Sequence, residues 1–295
     1  MQDFIEKFED YLRYEKKSSN NTLESYLRDI GQFSSYCSSN GIVKLSQINS
    51  VVIQRYYEYL TVMGKSASTI TRVAASLRCY FVFLIKEGYA SENPVTQVKP
   101  KKAEKKLPEI LTDKEILNLL AQPSGNDYKS VRDKAMLELL YATGIKVSEL
   151  IELSVLDINL QIGILNLKTA RHERIIPIYP AAVKTLQTYI LNVRPAIINN
   201  IEEERLFTNM SGEHLSRQGF WKIVKYYASK ANISKEITPH TLRHSFAAHL
   251  LENGAELRDI KEMLGHSDIS TTQVYAQLMK NKYTKDYKKF HPLAR

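Results

Sequence analysis

Residues 238–276 read TPHTLRHSFAAHLLENGAELRDIKEMLGHSDISTTQVYA and carry the signals of three short helices. Thr238 is a favourable N-cap and Pro239 a favourable first helical residue, so the first helix is predicted to begin there. Gly254 is predicted to end it, and a second helix runs until Gly265, because glycine readily adopts the left-handed conformation that follows a helix. The pattern SxxQ that follows has the form of a capping box and predicts a third helix.

Four side chains of this stretch can act on a phosphate: His240, Arg243, His266 and Tyr275. Arginine offers a planar fork of donors, and histidine can donate a hydrogen bond or move a proton. A tyrosine hydroxyl becomes a nucleophile when nearby positive charge stabilises the phenolate. A lone tyrosine, one of 18 in this chain, is more often half-buried packing. The prediction that these side chains act on a phosphate therefore depends on the combination of all four.

HTLRHSFAAHLL followed by LGHSDISTTQVYA closely resembles the signature of the tyrosine recombinase (phage integrase) family, in its Xer-like branch. The pattern of that family is H-x-x-R, then G-H, then a tyrosine nine residues after that histidine, and His240, Arg243, His266 and Tyr275 hold these positions. The resemblance implies a mainly α-helical fold of two domains. One is an N-terminal SAM-like helical bundle that binds core DNA, and the other is a mostly helical catalytic domain with a small three-stranded antiparallel sheet.

The activity that the resemblance implies is site-specific recombination of DNA without a metal ion or any other cofactor. Tyr275 would attack a DNA phosphate and leave a 3′-phosphotyrosine, and a second DNA end could reverse this step without ATP. The expected partner is double-stranded DNA with a specific inverted-repeat site. The expected assembly on DNA is a homotetramer, or a heterotetramer with a paralogue.

One position departs from the family pattern. In YATGIKVSELIEL, Lys146 stands where the family's A-T-G-x-R-x-S-E-L carries its first phosphate-binding arginine. Lysine is a strongly hydrated point charge rather than a bidentate fork, and loss of one preorganised donor typically costs about 10²–10³ in rate. A DNA-binding homologue with impaired cleavage is therefore the alternative. Glu149, one turn on, is expected either to steady this region or to be a surface acid.

Residues 157–178 depart from helical periodicity, because β-branched residues recur there between two turns. We predict the three-stranded antiparallel sheet in this segment. Lys168 stands at its second hairpin, where the family carries a lysine that protonates the departing 5′ oxygen. A lysine near other cations can give up a proton, which suits that role. Arg171, His172 and Arg174 in the same hairpin are the alternatives.

Three segments are predicted along the chain. Residues 1–98 show apolar residues at helical spacing, and Asn21 with Glu24 is predicted to form a capping box at the start of the second helix. By the resemblance, these residues are expected to form the N-terminal core-DNA-binding domain. Residues 99–106 read KPKKAEKK, a charged run typical of an interdomain linker, and its lysines could also neutralise phosphates. Residues 107–295 are the predicted catalytic domain. By the resemblance, its basic tail exchanges between protomers, and a helix docked on its own protomer is the alternative.

Five further side chains are candidate DNA contacts: Lys65, Arg72, Arg217, Gln218 and Lys222. Lys65 and Arg72 belong to a face that also carries Ser76 and is opposite an apolar stripe, and an ordinary solvated face is the alternative. Arg217 and Gln218 begin a helix capped by Ser216 and are suited to base edges or phosphates in a major groove. Trp221 of the same helix is expected in the core.

The composition fits a polyanionic partner, since 41 lysines and arginines stand against 32 acidic residues. The two cysteines, Cys37 and Cys79, are more typical of core thiols in a reducing compartment than of a disulfide. No signal peptide and no apolar run of 18 residues is visible, so a cytoplasmic protein that does not span a membrane is expected. A metal hydrolase that uses His240, His244 and His249 is a further alternative, although no H-E-x-x-H pattern accompanies them.

Overall fold

The computed structural model of the chain describes residues 2–101, 108–168, 173–266, 268–269 and 272–276. The chain divides into two compact units, Met1–Lys106 and Leu107–Arg295. Each unit has its own apolar core. The described elements are mainly helical, with one small antiparallel sheet in the second unit, so the predicted fold class is confirmed. Most of the predicted linker and the tail beyond residue 276 lie outside the described residues.

Over residues 2–101, the first unit contains the α-helices α1 (Gln2–Asp10), α2 (Asn20–Ser39), α3 (Ser50–Val62) and α4 (Ala67–Lys86). A π-helical turn, Tyr11–Glu15, continues α1. The largest fully buried side chains of this unit are aromatic: Phe8, Phe33, Tyr56, Tyr80 and Phe81. Such rings dominate a core because each removes a large apolar area from water.

The start of α2 differs from the sequence-based prediction, which placed a capping box at Asn21 and Glu24. The N-cap is Ser19, whose backbone is extended and whose side chain accepts from the N–H of Thr22. Ser19 rather than Asn21 is the N-cap because its hydroxyl, on an extended backbone, can accept from the free N–H groups of the first turn. Ser66 caps α4 in the same way, by accepting from the N–H of Thr69.

Within the described residues, α4 is long and apolar enough to cross a membrane by length and composition alone, a test that core helices also pass. Its apolar residues Val73, Leu77, Phe81 and Leu84 lie in the core of the first unit, at 1% exposure or less. The signal is the one that a core helix produces, because a helix buried on several sides is apolar around most of its circumference.

The described part of the second unit contains the helices α5 (Asp113–Ala121), α6 (Tyr128–Thr143), α7 (Val147–Leu150), α8 (Pro180–Thr188), α9 (Arg194–Ile197), α10 (Arg217–Lys230), α11 (Pro239–Glu252) and α12 (Leu257–Leu264). A π-helical turn joins α8 to α9. The sheet has the order β1 (Ile158–Asn159), β2 (Ile164–Lys168) and β3 (Glu173–Pro177), and both pairings are antiparallel. Leu165 and Ile176 are paired across β2 and β3 and face the core.

Helix α6 lies at the centre of this unit and packs against α8, α11 and β3. It ends at Gly144, which is left-handed with φ +59°. A Cβ at this position would lie 2.2 Å from the ring of Phe246 on α11, so the absence of a side chain lets the two helices approach closely. This close approach brings the start of α7 next to the N-terminal half of α11.

The predicted boundaries of the signature stretch are confirmed where the structure describes them. Thr238 caps α11, and Gly265 ends α12 in the left-handed conformation. Residues 272–276 are helical, while Ser270 of the predicted capping box lies outside the described residues. Phe246, Ile260, Leu264 and Tyr275 form a small separate apolar cluster that joins these segments.

Candidate active site

The guanidinium of Arg243 joins three elements. Arg243 lies on α11 and is only 4% exposed. Its guanidinium donates to two backbone carbonyls, from Nη1 to Gly144 O at 2.7 Å and from Nη2 to Leu264 O at 2.6 Å. Burial lowers the pKa of Arg243, and the charge of Glu149 opposes that shift. An arginine remains protonated at neutral pH under these conditions, so the site retains a fixed positive charge.

A pocket of about 380 Å³ opens beside Arg243. Five of the predicted site residues line it: Lys146, Arg217, Gln218, His240 and Arg243. We call it the cationic pocket, because three of these side chains carry a positive charge and no carboxylate is among its lining residues. Converging Arg and Lys donors form charge-assisted hydrogen bonds with phosphate oxygens, so the arrangement suits a phosphodiester.

Lys146 is the N-cap residue of α7, and its backbone N–H donates to Glu149 Oε2 at 2.8 Å. Its side chain is therefore placed by a capping interaction in the wall of the cationic pocket. Glu149 is only 12% exposed and is paired with Arg174, so it is not a surface acid.

Arg174 has a position that sequence reasoning did not anticipate, since it was considered there as an alternative acid in the hairpin. Its Nη2 donates to Glu149 Oε2 at 2.8 Å, and its Nε donates to Met263 O at 2.9 Å. A Cβ on Gly265 would lie 2.6 Å from its Nη1. Arg174 thus packs directly beneath the turn that carries His266 and braces it against α7.

Tyr275 is 1% exposed and packs against Phe246, Ile260 and Leu264. Its hydroxyl lies 2.8 Å from Nδ1 of His244. Burial raises the pKa of Tyr275, while the positive charge of Arg243 acts in the opposite direction. The phenol is therefore protonated at neutral pH in this state, and it lies within the electrostatic reach of Arg243.

His266 follows Gly265 and is half-buried, with Nδ1 3.0 Å from the hydroxyl of Thr272. Burial, followed by the charges of Arg243 and Lys146, lowers the pKa of His266 to about 4. The imidazole is therefore neutral at pH 7. When Nδ1 accepts from Thr272, the proton is on Nε2, and that N–H remains a donor for a ligand oxygen.

His240 and Lys168 are both exposed, as is Lys146, whereas the other members of the predicted catalytic set are half-buried or buried. His240 is exposed at the rim of the cationic pocket, and its ring centroid lies 6.2 Å from that of His244. Lys168 is the last residue of β2, is 67% exposed and pairs with Glu173 at 3.4 Å. Lys168 is not among the residues that line the cationic pocket. Its competitors Arg171 and His172 lie outside the described residues.

Helix α10 presents its first turn to the cationic pocket through Arg217 and Gln218, and Lys222 is exposed one turn on. The expectation that Trp221 is a core residue is wrong. Trp221 is 37% exposed, lines the pocket and carries Lys225 Nζ 3.9 Å from its ring centroid. Helical spacing alone does not show which of the two adjacent aromatic residues is buried, and in the structure it is Phe220.

In the first unit, Arg72 is paired with the buried carboxylate of Asp29, which also accepts from Ser76 Oγ at 2.7 Å. Ser76 is fully buried, so the expected solvated face does not extend to it. The side chain of Arg72 is nevertheless 42% exposed. Lys65 is exposed and lines two surface pockets of this unit, one of them together with Arg28.

His244 is the functional candidate that sequence reasoning left out of the site, although it lies on the same helix face as His240. Its spacing of one turn from His240 was the available signal. His249, further along α11, is engaged elsewhere, with Tyr141 Oη 2.9 Å from Nδ1 and Leu111 O 2.8 Å from Nε2. Over the described part of the chain, no three His, Cys, Asp or Glu side chains are grouped as metal ligands would be.

Comparison with known proteins identifies both units. The profile of the phage integrase family matches residues 109–282, and that of the phage integrase N-terminal SAM-like domain matches residues 5–88. The chain is 44% identical over 295 residues to the tyrosine recombinase XerD of Staphylococcus epidermidis and to that of Staphylococcus aureus. In both cases the match covers 100% of this chain and 100% of the relative.

Solved structures of similar fold are also recombinases. The XerH recombinase bound to a palindromic difH substrate superposes with a TM-score of 0.77 at 20% identity, covering 92% of this chain and 81% of that chain. A lambda integrase dimer bound to a COC′ core site gives a TM-score of 0.71 at 20% identity, covering 93% of this chain and 94% of that chain. The chain belongs to the phage integrase family and is a tyrosine-type site-specific DNA recombinase.

Proposed function

We propose that this chain cleaves and rejoins DNA strands through a 3′-phosphotyrosine intermediate, by transesterification without a metal ion or ATP. The observation that carries the proposal is the grouping of Lys146, His240 and Arg243 around one pocket, with Tyr275 within the electrostatic reach of Arg243. Positively charged donors placed where charge develops on a phosphoryl group are the usual means of stabilising such a transition state.

Each group has a defined part in the proposed reaction. Tyr275 attacks the phosphorus, and Arg243, Lys146 and the Nε2–H of His266 hold the non-bridging oxygens. His240, at the rim of the pocket, donates to an oxygen or moves a proton. The energy of the broken P–O5′ bond is retained in the phosphotyrosine, so the free 5′ hydroxyl of a second strand can reverse the step.

Lys168 is the proposed acid for the departing 5′ oxygen. Its exposure at the end of β2 leaves it free to reach a DNA strand that lies over the hairpin. A general acid must come within hydrogen-bond distance of its acceptor only in the complex with substrate, so its distance from the pocket in the unbound protein does not argue against the role.

The proposed substrate is double-stranded DNA with a specific inverted-repeat site, bound by four protomers of this chain or of this chain and a paralogue. Arg217, Gln218 and Lys222 on α10 are the proposed contacts of the second unit, and Glu149 positions Lys146. Lys65 and Arg72 are the proposed phosphate contacts of the first unit, which corresponds to the core-DNA-binding domain. The proposed place of action is the cytoplasm, where the bacterial chromosome lies.

The test is a covalent-adduct assay. The full chain first selects its preferred site from random duplex DNA, and that site is then prepared with a nick beside the cleaved phosphate, so that the released fragment is lost and the adduct accumulates. The expected result is a radiolabelled protein–DNA adduct that requires Tyr275 and is lost in Tyr275→Phe. Absence of an adduct with the selected site contradicts the proposal.

A second candidate function rests on one specific observation, the presence of Lys146 in the pocket wall in place of the family's arginine. It is a DNA-binding recombinase homologue whose cleavage is impaired. The two candidates are separated by DNA affinity and adduct formation measured side by side: tight specific binding with very slow adduct formation in the wild type, relieved by Lys146→Arg, favours the second.

A further inference from the structure

One histidine lies between the cationic pocket and the nucleophile. On α11, His240 lines the pocket and His244 follows one turn later. The ring of His244 lies 6.2 Å from the ring of His240 on one side and 5.7 Å from the ring of Tyr275 on the other. Its Nδ1 is 2.8 Å from the Tyr275 hydroxyl, which is a direct hydrogen bond to the atom that would attack phosphorus.

The direction of this hydrogen bond follows from the two protonation states. Burial, with smaller effects from His240 and Arg243, lowers the pKa of His244 to about 4, so its ring is neutral at pH 7. Burial raises the pKa of Tyr275, so the phenol keeps its proton. The phenol therefore donates and Nδ1 accepts, which places the proton of the imidazole on Nε2. This is the arrangement of a general base with its substrate proton in place.

We propose that His244 is the general base that removes the phenolic proton of Tyr275 as it attacks the DNA phosphate, an assignment that rests on the proposed function above. The bond between the tyrosine oxygen and phosphorus forms, and the bond between phosphorus and the 5′ oxygen breaks. The phenolic proton passes to Nδ1 and gives an imidazolium. The 5′ oxygen takes its proton from the separate acid, Lys168, and in the reverse step the imidazolium returns its proton to the phenolate.

Bound DNA would strengthen this base. The groups that face His244 are His240 and Arg243 on its own helix, and His266 and Tyr275 from the following segments. Arg243 is the fixed positive charge among them, and it opposes protonation of the ring. A phosphodiester in the pocket brings a negative charge beside Arg243 and thereby favours the imidazolium. The proton affinity of Nδ1 therefore rises when the substrate binds.

The decisive variant is His244→Asn in the full chain. The amide oxygen of asparagine can accept the phenol hydrogen bond near the position of Nδ1, but it cannot take the proton. With the DNA site selected by the wild type, we expect single-turnover adduct formation to fall by about 10²–10⁴ at unchanged DNA affinity, the usual contribution of a general base. His249→Asn is the matched control, because it removes another buried imidazole of α11 whose contacts are outside the site.

A second substrate separates the base from the acid. A 5′-bridging phosphorothiolate at the cleaved position has a sulfur leaving group that needs no proton, but the attacking phenol must still lose its own. This substrate should restore cleavage to Lys168→Ala and leave His244→Asn slow. Restoration of His244→Asn to the wild-type rate would overturn the assignment, and so would a His244→Asn chain that cleaves ordinary DNA as fast as or faster than the wild type.

The wild type supplies a measurement that does not depend on the folding of a variant. With the phosphorothiolate substrate, the rate should fall on the acid side as the pH approaches the pKa of His244, which is about 4 in the unbound chain and rises when DNA binds, because the imidazole that must accept the proton becomes protonated. A rate that stays flat from pH 8 down to about pH 4 overturns the assignment. A wild-type chain that forms no adduct at any pH contradicts the proposed function itself and the assignment with it.

Discussion

Arg174 and Glu149 form an ion pair with 2.8 Å between Nη2 and Oε2, and their side chains are 10% and 12% exposed. The same carboxylate oxygen accepts the backbone N–H of Lys146 at 2.8 Å, and Nε of Arg174 donates to Met263 O at 2.9 Å. One guanidinium thus connects β3, the start of α7 and the end of α12. Two of the proposed phosphate ligands, Lys146 and the histidine that follows α12, depend on this connection.

Replacing Arg174 by lysine should slow cleavage. A lysine cannot donate to Glu149 and to Met263 O in the geometry of the guanidinium fork, and a hydrogen bond to a charged group contributes about 1.5–3 kcal/mol. We expect the rate of adduct formation to fall by about 10–100-fold, if one such contact is lost from the transition state. The measurement is single-turnover adduct formation at saturating DNA, with the midpoint of urea unfolding alongside.

The control for this change is Arg205→Lys. Arg205 pairs with Glu203 on the surface, where it is 39% exposed, and an exposed ion pair contributes little. That variant should cleave at the wild-type rate. If Arg174→Lys matches it in both cleavage rate and stability, the brace has no role in holding the site.

The second candidate function, in which Lys146 impairs cleavage, predicts that Lys146→Arg increases it. The arginine fork can form two parallel hydrogen bonds with phosphate oxygens, whereas the ammonium acts as a point charge. One restored preorganised donor is expected to raise the rate of adduct formation by about 10-fold or more. DNA affinity should change little, because the charge is conserved. Lys184→Arg on α8 is the matched control, and an unchanged or lower rate in Lys146→Arg would mean that the pocket is adapted to lysine.

Gly144→Ala should destabilise the second unit. A Cβ there would lie 2.2 Å from the ring of Phe246, and the backbone has φ +59°. Strain and overpacking together should lower the free energy of unfolding by about 2–4 kcal/mol. Gly254→Ala is the control, since its φ is +94° but nothing lies within 4 Å of its Cβ, so it reports the backbone strain alone. Equal losses of stability in the two variants would contradict the proposed close packing of α6 on α11.

Stability should fall as the pH is lowered from about 6.5 towards 4. The pKa values of His244 and His266 are both lowered from 6.5 to about 4 in the folded chain, so the unfolded chain binds more protons in this window. Above pH 6.5 both histidines are neutral in the folded and the unfolded chain, and their full contribution to stability is present. As the pH falls below 6.5, each histidine is protonated only in the unfolded chain, and the free energy of unfolding decreases by about 1.4 kcal/mol per pH unit for each.

Urea unfolding at pH 7 and pH 5.5 tests this pH dependence, because most carboxylates remain ionised over that interval. The double variant His244→Asn, His266→Asn should lose much of the difference between the two pH values. A wild type that is equally stable at both would show that these imidazoles are protonated in the folded chain as readily as in water.

The elements that could be predicted from the sequence are those whose signals are local. Thr238 caps α11 and Ser216 caps α10, each as the sequence indicated. These predictions succeed because a cap involves groups within three residues of one another. The error at α2 has the same origin, since Ser19 and Asn21 offered competing caps within one turn.

The contacts that could not be predicted join residues far apart in the chain. Arg174 meets Glu149 and Met263 only because the hairpin, α7 and α12 are folded together. Trp221 has the spacing of a core residue but lines the cationic pocket, since the face that α10 presents depends on what packs against it. A sequence pattern indicates which side chains share a helix face, but it does not say what that face meets.

Tyr275 is only 1% exposed in the unbound protein, so its hydroxyl is shielded from reaction with DNA in solution. A nucleophile that is covered by its own chain cannot touch an external phosphodiester, so collisions with irrelevant stretches of a chromosome leave no nick. Uncovering it costs free energy, and in a protein that cuts DNA this energy has to come from binding. Recognition of the target sequence and exposure of the nucleophile would then occur in the same step.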